Sequence, residues 1–279
     1  MTAITRGERA FFAIVALSAL WIGSWCYVIP AYVQIGMPWN APPLHARFLG
    51  AIYLSATTFC FCSAFARTHA QLRAVLPMIA IWTGVVLVVS FFYLTQADYL
   101  RVAVWIWLIA YLVYPLIALR LMWIHRTALD QAATYTLPGW AHGYLLAQGI
   151  LLSAAAALLL LQPELMIRAW PWKLTQQLAQ IYSGPILCYG VASLLISRGP
   201  SFAEARIALI GMFVFALAVL VASVIHRAVF ARASLAATLW FAGFAAATAI
   251  LGLMIARSWS RGPIPPRPDR LRTEPHPKP

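Results

Sequence analysis

Eight runs of almost uninterrupted apolar residues fill most of this chain, and they constrain its fold more than any motif does. A helix rises about 1.5 Å per residue and the hydrocarbon core of a bilayer is about 30 Å thick, so about 20 apolar residues make one crossing. The sequence places such runs near 10–29, 43–66, 72–94, 102–124, 144–161, 175–196, 205–225 and 235–256. In lipid every backbone N–H and C=O needs a partner within the protein, which leaves helices or a closed barrel. Barrel strands would alternate polar and apolar residues, and these runs do not. Composition agrees. The chain is 63% hydrophobic and 10% charged, against about 45–50% and 25% in soluble domains. The expected fold is an all-α polytopic membrane protein of about eight transmembrane helices. The first run follows Arg6 and Arg9 as a signal peptide would. It is longer than a signal core and lacks a small-x-small cleavage pattern before Pro30, so a retained helix is expected.

The distribution of Lys and Arg predicts orientation. Fourteen of the 20 basic residues fall on the side of the N-terminus and six on the other: Arg47, Arg101, Arg168, Lys173, Arg227 and Arg232. The richer side is the cytoplasmic one, which puts both termini in the cytoplasm. The net charge of +13 is concentrated at helix ends and in the tail, where it sets topology and meets anionic lipid, so no nucleic-acid partner is expected. Arginine outnumbers lysine 18 to 2, as in proteins from GC-rich bacterial genomes. The predicted location is a bacterial inner membrane.

A single offset of 133 positions aligns the chain with itself. Pro38 and Trp39 fall on Pro171 and Trp172, Ala46 on Ala179, Arg73 on Arg206, Trp107 on Trp240, and Val86, Leu87, Val88 and Ser90 on Val219, Leu220, Val221 and Ser223. No gap is needed and all four spans of one half land on the four of the other. The expectation is an internal duplication: a first four-helix repeat over 1–133 and a second over 134–257. An even number of crossings per unit makes the copies parallel, related by an axis along the membrane normal. Residues 258–279 form a basic, proline-rich tail, expected to be disordered and cytoplasmic.

The two Pro-Trp loops then occupy equivalent places between the first and second helix of each repeat. Pro42 and Pro43 suit a helix start, and Thr175 suits an N-cap. Trp39, Trp170 and Trp172 are expected at head-group depth, with the ring buried and the N–H wet. Trp170-Pro171-Trp172-x-Leu174-Thr175 with Ala179, and Pro43-Leu44-x-Ala46-Arg47 in the first copy, resemble a signature of uncharacterised multi-pass proteins of bacterial membranes. Gln180 stands where that pattern has Arg. The resemblance implies a multi-pass membrane protein and carries no activity with it.

Chemistry is sparse. Glu8, Asp98, Asp130, Glu164, Glu204, Asp269 and Glu274 all map to termini, loops or span edges, so neither a proton relay nor a Na⁺ cage is expected. The histidines sit at edges too. His45 and His142 fall on opposite faces, which disfavours a haem held between them. Cys26, Cys60, Cys62 and Cys188 read as buried small hydrophobes. No metal site, catalytic residue or cofactor is predicted. Ser183-Gly184-Pro185 reads as a kink or unwound turn. Arg47 is the one candidate anion ligand, with Trp39, Trp170, Trp172 and Gln180 as neighbours in a lipid- or ligand-binding face.

The leading functional expectation is a non-catalytic accessory subunit or a binder of an apolar molecule or lipid. Its partners would be membrane lipids and, for an accessory subunit, other membrane subunits. The alternative is a passive or substrate-only transporter with its path at the repeat interface. The third is an enzyme acting on a lipid near Arg47 and Trp39.

Overall fold

A computed structural model describes residues 4–39, 41–126, 138–199, 202–230 and 234–260. The described residues hold helices and no strands. Eight helices are long and apolar enough to cross a membrane: α1 (Arg6–Val28), α2 (Pro43–Ala64), α3 (Val75–Phe92), α4 (Val102–Ile124), α5 (Gly139–Leu161), α6 (Gln176–Ser197), α7 (Phe202–Ile225) and α8 (Leu235–Ser260). The chain is an all-α polytopic membrane protein.

Local sequence explains the helix starts. Thr5 caps α1 in a capping box with Glu8, a reciprocal pair that satisfies two otherwise free N–H groups. Pro43 is the first residue of α2. Thr175 caps α6, its hydroxyl accepting from the Leu178 N–H at 3.3 Å. Several helix bounds differ from the hydropathy reading. The helix α5 begins at Gly139, and α8 continues to Ser260, into the stretch assigned to the tail. His142 makes the first turn of α5 tolerable by donating through Nδ1 to the Ser197 carbonyl at 2.5 Å. The rest of the predicted tail, 261–279, lies outside the described residues.

Helices α2 and α6 are the most enclosed, and the others are arranged about them. Helix α1 runs along α2 and α5 along α6. Then the halves exchange partners: α3 packs on α6, and α7 on α2. Helix α4 lies against α3, and α8 against α7. Each enclosed helix is therefore covered by one helix of its own half and one of the other.

Close approach depends on glycine at two points. A Cβ at Gly50 would stand 2.7 Å from the Tyr27 backbone N, and one at Gly190 2.8 Å from the Ser153 backbone N. These positions set the α1–α2 and α5–α6 distances, since small residues let backbones approach in the absence of a hydrophobic drive between helices. The Ser183-Gly184-Pro185 triplet does not unwind α6, which is helical throughout from Gln176 to Ser197. Gly184 faces α3 instead, where a Cβ would meet the Trp82 carbonyl at 3.0 Å.

Boundaries recur at the offset read from sequence. Arg6–Val28 and Gly139–Leu161 are 133 positions apart at both ends, as are Pro43–Ala64 and Gln176–Ser197. The short 3₁₀ turns Leu94–Gln96 and Arg227–Val229 keep the same spacing. A short helix, Pro163–Ala169, occupies what read as plain loop, and it lies 133 positions after the helical turns Pro30–Tyr32 and Val33–Gly36.

Candidate functional site

The Pro-Trp loops do not rest at the protein's edge. Both fold inward. Trp39 packs edge-on against Trp107 of α4, with ring centroids 4.8 Å apart, and Trp172 packs the same way against Trp240 of α8, also at 4.8 Å. Trp170 lies 5.4 Å from Trp172 and 5.3 Å from Trp240. Phe48 and Tyr182 of α2 and α6 complete this second cluster at a centroid distance of 4.6 Å. The indole N–H groups of Trp39, Trp170 and Trp172 are all buried and have no hydrogen-bond partner among the described residues. The expectation of wet N–H groups at head-group depth is therefore corrected. The indole rings pack against Trp107 and Trp240 instead, and that packing offsets part of the cost of each unpaired N–H.

His45, in the first turn of α2, fastens that helix to the second Pro-Trp loop and to α6. Its Nε2–H donates to the Lys173 carbonyl at 2.8 Å, so its Nδ1 accepts from the Tyr182 hydroxyl, also at 2.8 Å. One tautomer satisfies both contacts.

Arg47 and Gln180 occupy corresponding places and make corresponding bonds. Arg47 Nε donates to the Tyr27 carbonyl at 3.1 Å, and Gln180 Nε2 to the Leu160 carbonyl at 3.3 Å. Each then reaches a residue at the far end of a helix from the other half. Arg47 donates to His226 Nε2 at 2.5 Å, and Gln180 Oε1 accepts from the Tyr93 hydroxyl at 2.6 Å. Burial and the adjacent Arg47 cation hold His226 below the usual histidine range. The guanidinium thus gives two of its five N–H groups to a carbonyl and an imidazole nitrogen inside the protein. Trp39 and Arg47 share no hydrogen bond or ring contact among the described residues, so the five candidates divide: Arg47 with His226, Gln180 with Tyr93, Trp39 with Trp107, and Trp170 with Trp172.

A concave feature among the described residues lies elsewhere. A cavity of about 200 Å³ sits between α1, α2, α3 and α4. Val15, Phe59, Ile79 and Trp82 form apolar walls, and Trp21 and Ile106 stand at its rim, both more than half exposed. Those rim residues lie on exposed faces of α1 and α4, so the cavity opens at the side of the bundle. Its hydroxyls are already paired. Tyr53 and Tyr111 are 2.6 Å apart, and Ser18 bonds Tyr114 at 2.9 Å while donating to the Ile14 carbonyl at 2.8 Å. Two phenols joined by one hydrogen bond use one of their two protons for it.

At the opposite end of the bundle the fold gathers three ionisable groups that the sequence scatters. Glu8 Oε1 lies 2.6 Å from His125 Nε2 and 3.2 Å from His69 Nε2. Glu8 is in the first turn of α1, His125 directly follows α4, and His69 opens the 3₁₀ turn His69–Leu72 before α3. Sequence reasoning missed this cluster because its members are 61 and 117 positions from Glu8. The local signal was Thr5-x-x-Glu8, a capping box before an apolar run, which marks Glu8 as held at a helix start rather than loose in a tail. No protein family, curated protein or solved structure gives a significant match to the chain.

Proposed function

We propose that this chain is a bacterial inner-membrane protein built from two fused copies of a four-helix unit, and that it holds an apolar membrane molecule in the lateral cavity of its first half. The cavity between α1 and α4 is the observation that carries this reading. Its walls are apolar, each of its hydroxyls already has a partner with one phenol proton left over, and it opens where acyl or isoprenoid chains lie. An occupant enters from the bilayer without crossing water. The unspent phenol proton of the Tyr53–Tyr111 pair suits an occupant with one acceptor oxygen along an otherwise apolar body. The protein acts without catalysis of its own, as a carrier or an accessory subunit. Both termini face the cytoplasm, in keeping with the excess of basic residues on that side.

The transport alternative finds less support. The centre between the halves is filled: Tyr189 donates to Ser55 at 2.8 Å, and Ser55 donates to the Gly211 carbonyl at 2.6 Å, tying α6, α2 and α7 together. The lipid-enzyme reading keeps a cation in Arg47, but two of its five N–H groups already go to Tyr27 and His226.

The test is extraction. Protein purified in mild detergent is exchanged into nanodiscs, and its bound organic molecules are identified by mass spectrometry. Ala110, on the cavity wall, is replaced by Phe. Wild type should carry an apolar molecule that Ala110→Phe lacks, while a Leu119→Phe control on an exposed face retains it. Equal recovery from all three would reject the cavity as its site.

A further inference from the structure

We propose that Glu8, His69 and His125 form a binding site for a divalent transition metal of the zinc class, clamping α1, the turn before α3 and the end of α4 together. The nitrogen and oxygen atoms they offer all lie within 4.8 Å of one another.

The carboxylate is prepared for this role. Its Oε2 is held by the Thr5 backbone N–H at 2.6 Å and the Thr5 hydroxyl at 2.9 Å. That fixes the rotation of the group and presents Oε1 to the two imidazoles. The neighbouring cation does not compete, because Arg9 turns to the Ala64 and Ala66 carbonyls, at 2.9 and 3.4 Å.

The spacing is close to that of a coordination shell. Zinc bonds nitrogen and carboxylate oxygen at about 2.0–2.2 Å, so neighbouring ligand atoms in a tetrahedron are about 3.3–3.5 Å apart. Oε1 and His69 Nε2 stand at 3.2 Å already. Oε1 and His125 Nε2, at 2.6 Å, must open by about 0.7 Å to reach that edge. The two rings are stacked, with centroids 3.7 Å apart and planes at 23°. An ion between stacked rings would lie out of both ring planes, so one ring must turn on binding. His125 is the one able to do so: it caps the end of α4 and its side chain is 17% exposed, against 1% for His69. The same exposure gives the ion an entry path and leaves a fourth position for water.

Packing alone does not call for this cluster. The positions 133 residues on are Ala141, Phe202 and Ser258, which bring neither carboxylate nor imidazole. Helix α5 buries Ala141 completely where α1 buries Glu8. A buried ionisable group is costly unless something repays its desolvation, and a metal ion would do so in the half that carries the cluster. Two imidazoles and one carboxylate favour zinc and its neighbours over magnesium or calcium, which prefer oxygen.

The experiment uses the full-length protein in detergent, stripped with a chelator and titrated with Zn²⁺ by calorimetry. One equivalent should bind, and Co²⁺ in its place should give the intense visible absorption of a four-coordinate ion. His125→Gln is the decisive variant, because glutamine can still donate to Glu8 and keep the helix ends joined, yet brings no imidazole. It should fold with wild-type helicity and elution volume and lose at least about a hundredfold in affinity, beyond the roughly 10–100-fold that an outer supporting residue supplies. Glu8→Gln should also lose binding. If wild type binds no ion, Glu8, His69 and His125 are a hydrogen-bonded cluster and the proposal fails. It fails equally if His125→Gln keeps the wild-type affinity, since the ion then sits elsewhere.

Discussion

Trp107 donates its indole N–H to the Ser90 hydroxyl at 3.0 Å, and the same bond recurs 133 positions later from Trp240 to Ser223 at 2.9 Å. Both serines pass their own proton one turn back, to the Val86 and Val219 carbonyls at 2.7 and 2.8 Å. Both tryptophans also receive a Pro-Trp loop on one face. Ring, hydroxyl, carbonyl and loop are placed alike, in keeping with the proposed duplication.

Equal geometry predicts equal cost. Ser90→Ala and Ser223→Ala each leave an indole N–H unpaired at a helix–helix contact. Polar contacts of this kind between membrane helices average about 0.6 kcal/mol and reach about 1.7. Each substitution should destabilise the protein by about 0.5–1.5 kcal/mol in mixed-micelle unfolding, with closely similar values. A gap of more than about 2 kcal/mol between them would mean that the two bonds are not equivalent.

The helices were legible in the sequence because bilayer thickness fixes their length and lipid forbids other backbone arrangements. Val102–Ile124 was read at both ends, since apolar residues begin and stop there abruptly. The early start of α5 was not, because Gly139, His142 and Gly143 dilute the hydropathy, and only the Ser197 carbonyl opposite explains His142. The Pro-Trp loops were placed on the right segment and given the wrong surroundings. Hydropathy sees Trp39 and Trp172 as interfacial residues, and it cannot see that Trp107 and Trp240 wait beneath them. The cavity was illegible for a related reason: it is space left between four apolar helices, and no residue type marks it. Glu8, His69 and His125 each looked like an ordinary span edge, and only the return of α4 to the start of α1 joins them.

Close helix contact gives a second prediction. Gly50→Ala places a Cβ 2.7 Å from the Tyr27 backbone, which can yield only if α1 and α2 separate. Overpacking of this kind costs about 1–3 kcal/mol. Gly143→Ala, in the first turns of α5, meets nothing within 4 Å and should be neutral or stabilising by up to about 1 kcal/mol through helix propensity. The same unfolding assay decides, and a Gly50→Ala protein as stable as Gly143→Ala would show that α1 and α2 are not held at this distance.

Orientation is checked by reporter fusions. A fusion after Arg126 should report the cytoplasm, and one at Arg168 the opposite side, because α5 lies between them. Both fusions reporting the same side would remove one crossing and with it the proposed parallel arrangement of the halves. Reversed signals would keep the fold and overturn the cytoplasmic placement of the termini.

The Arg47–His226 bond predicts how stability responds to acid. Arg47 can donate to His226 only while Nε2 carries no proton, and burial together with the guanidinium holds the folded-state pKa below that of free histidine. Above the ordinary histidine range His226 is neutral folded or unfolded and contributes no pH dependence. As pH falls through that range the unfolded chain takes up a proton that the folded chain resists, so stability declines until the lower folded-state pKa is passed. Other histidines titrate in the same region, and the contribution of His226 is therefore read as a difference. Wild type should lose more stability than His226→Gln between about pH 7 and pH 5. At pH 7 glutamine can still accept from Arg47 through its side-chain oxygen, so the two proteins should start close together. Parallel pH profiles would mean that His226 is protonated as readily in the folded protein as in the unfolded chain, and that Arg47 is not held by a neutral imidazole.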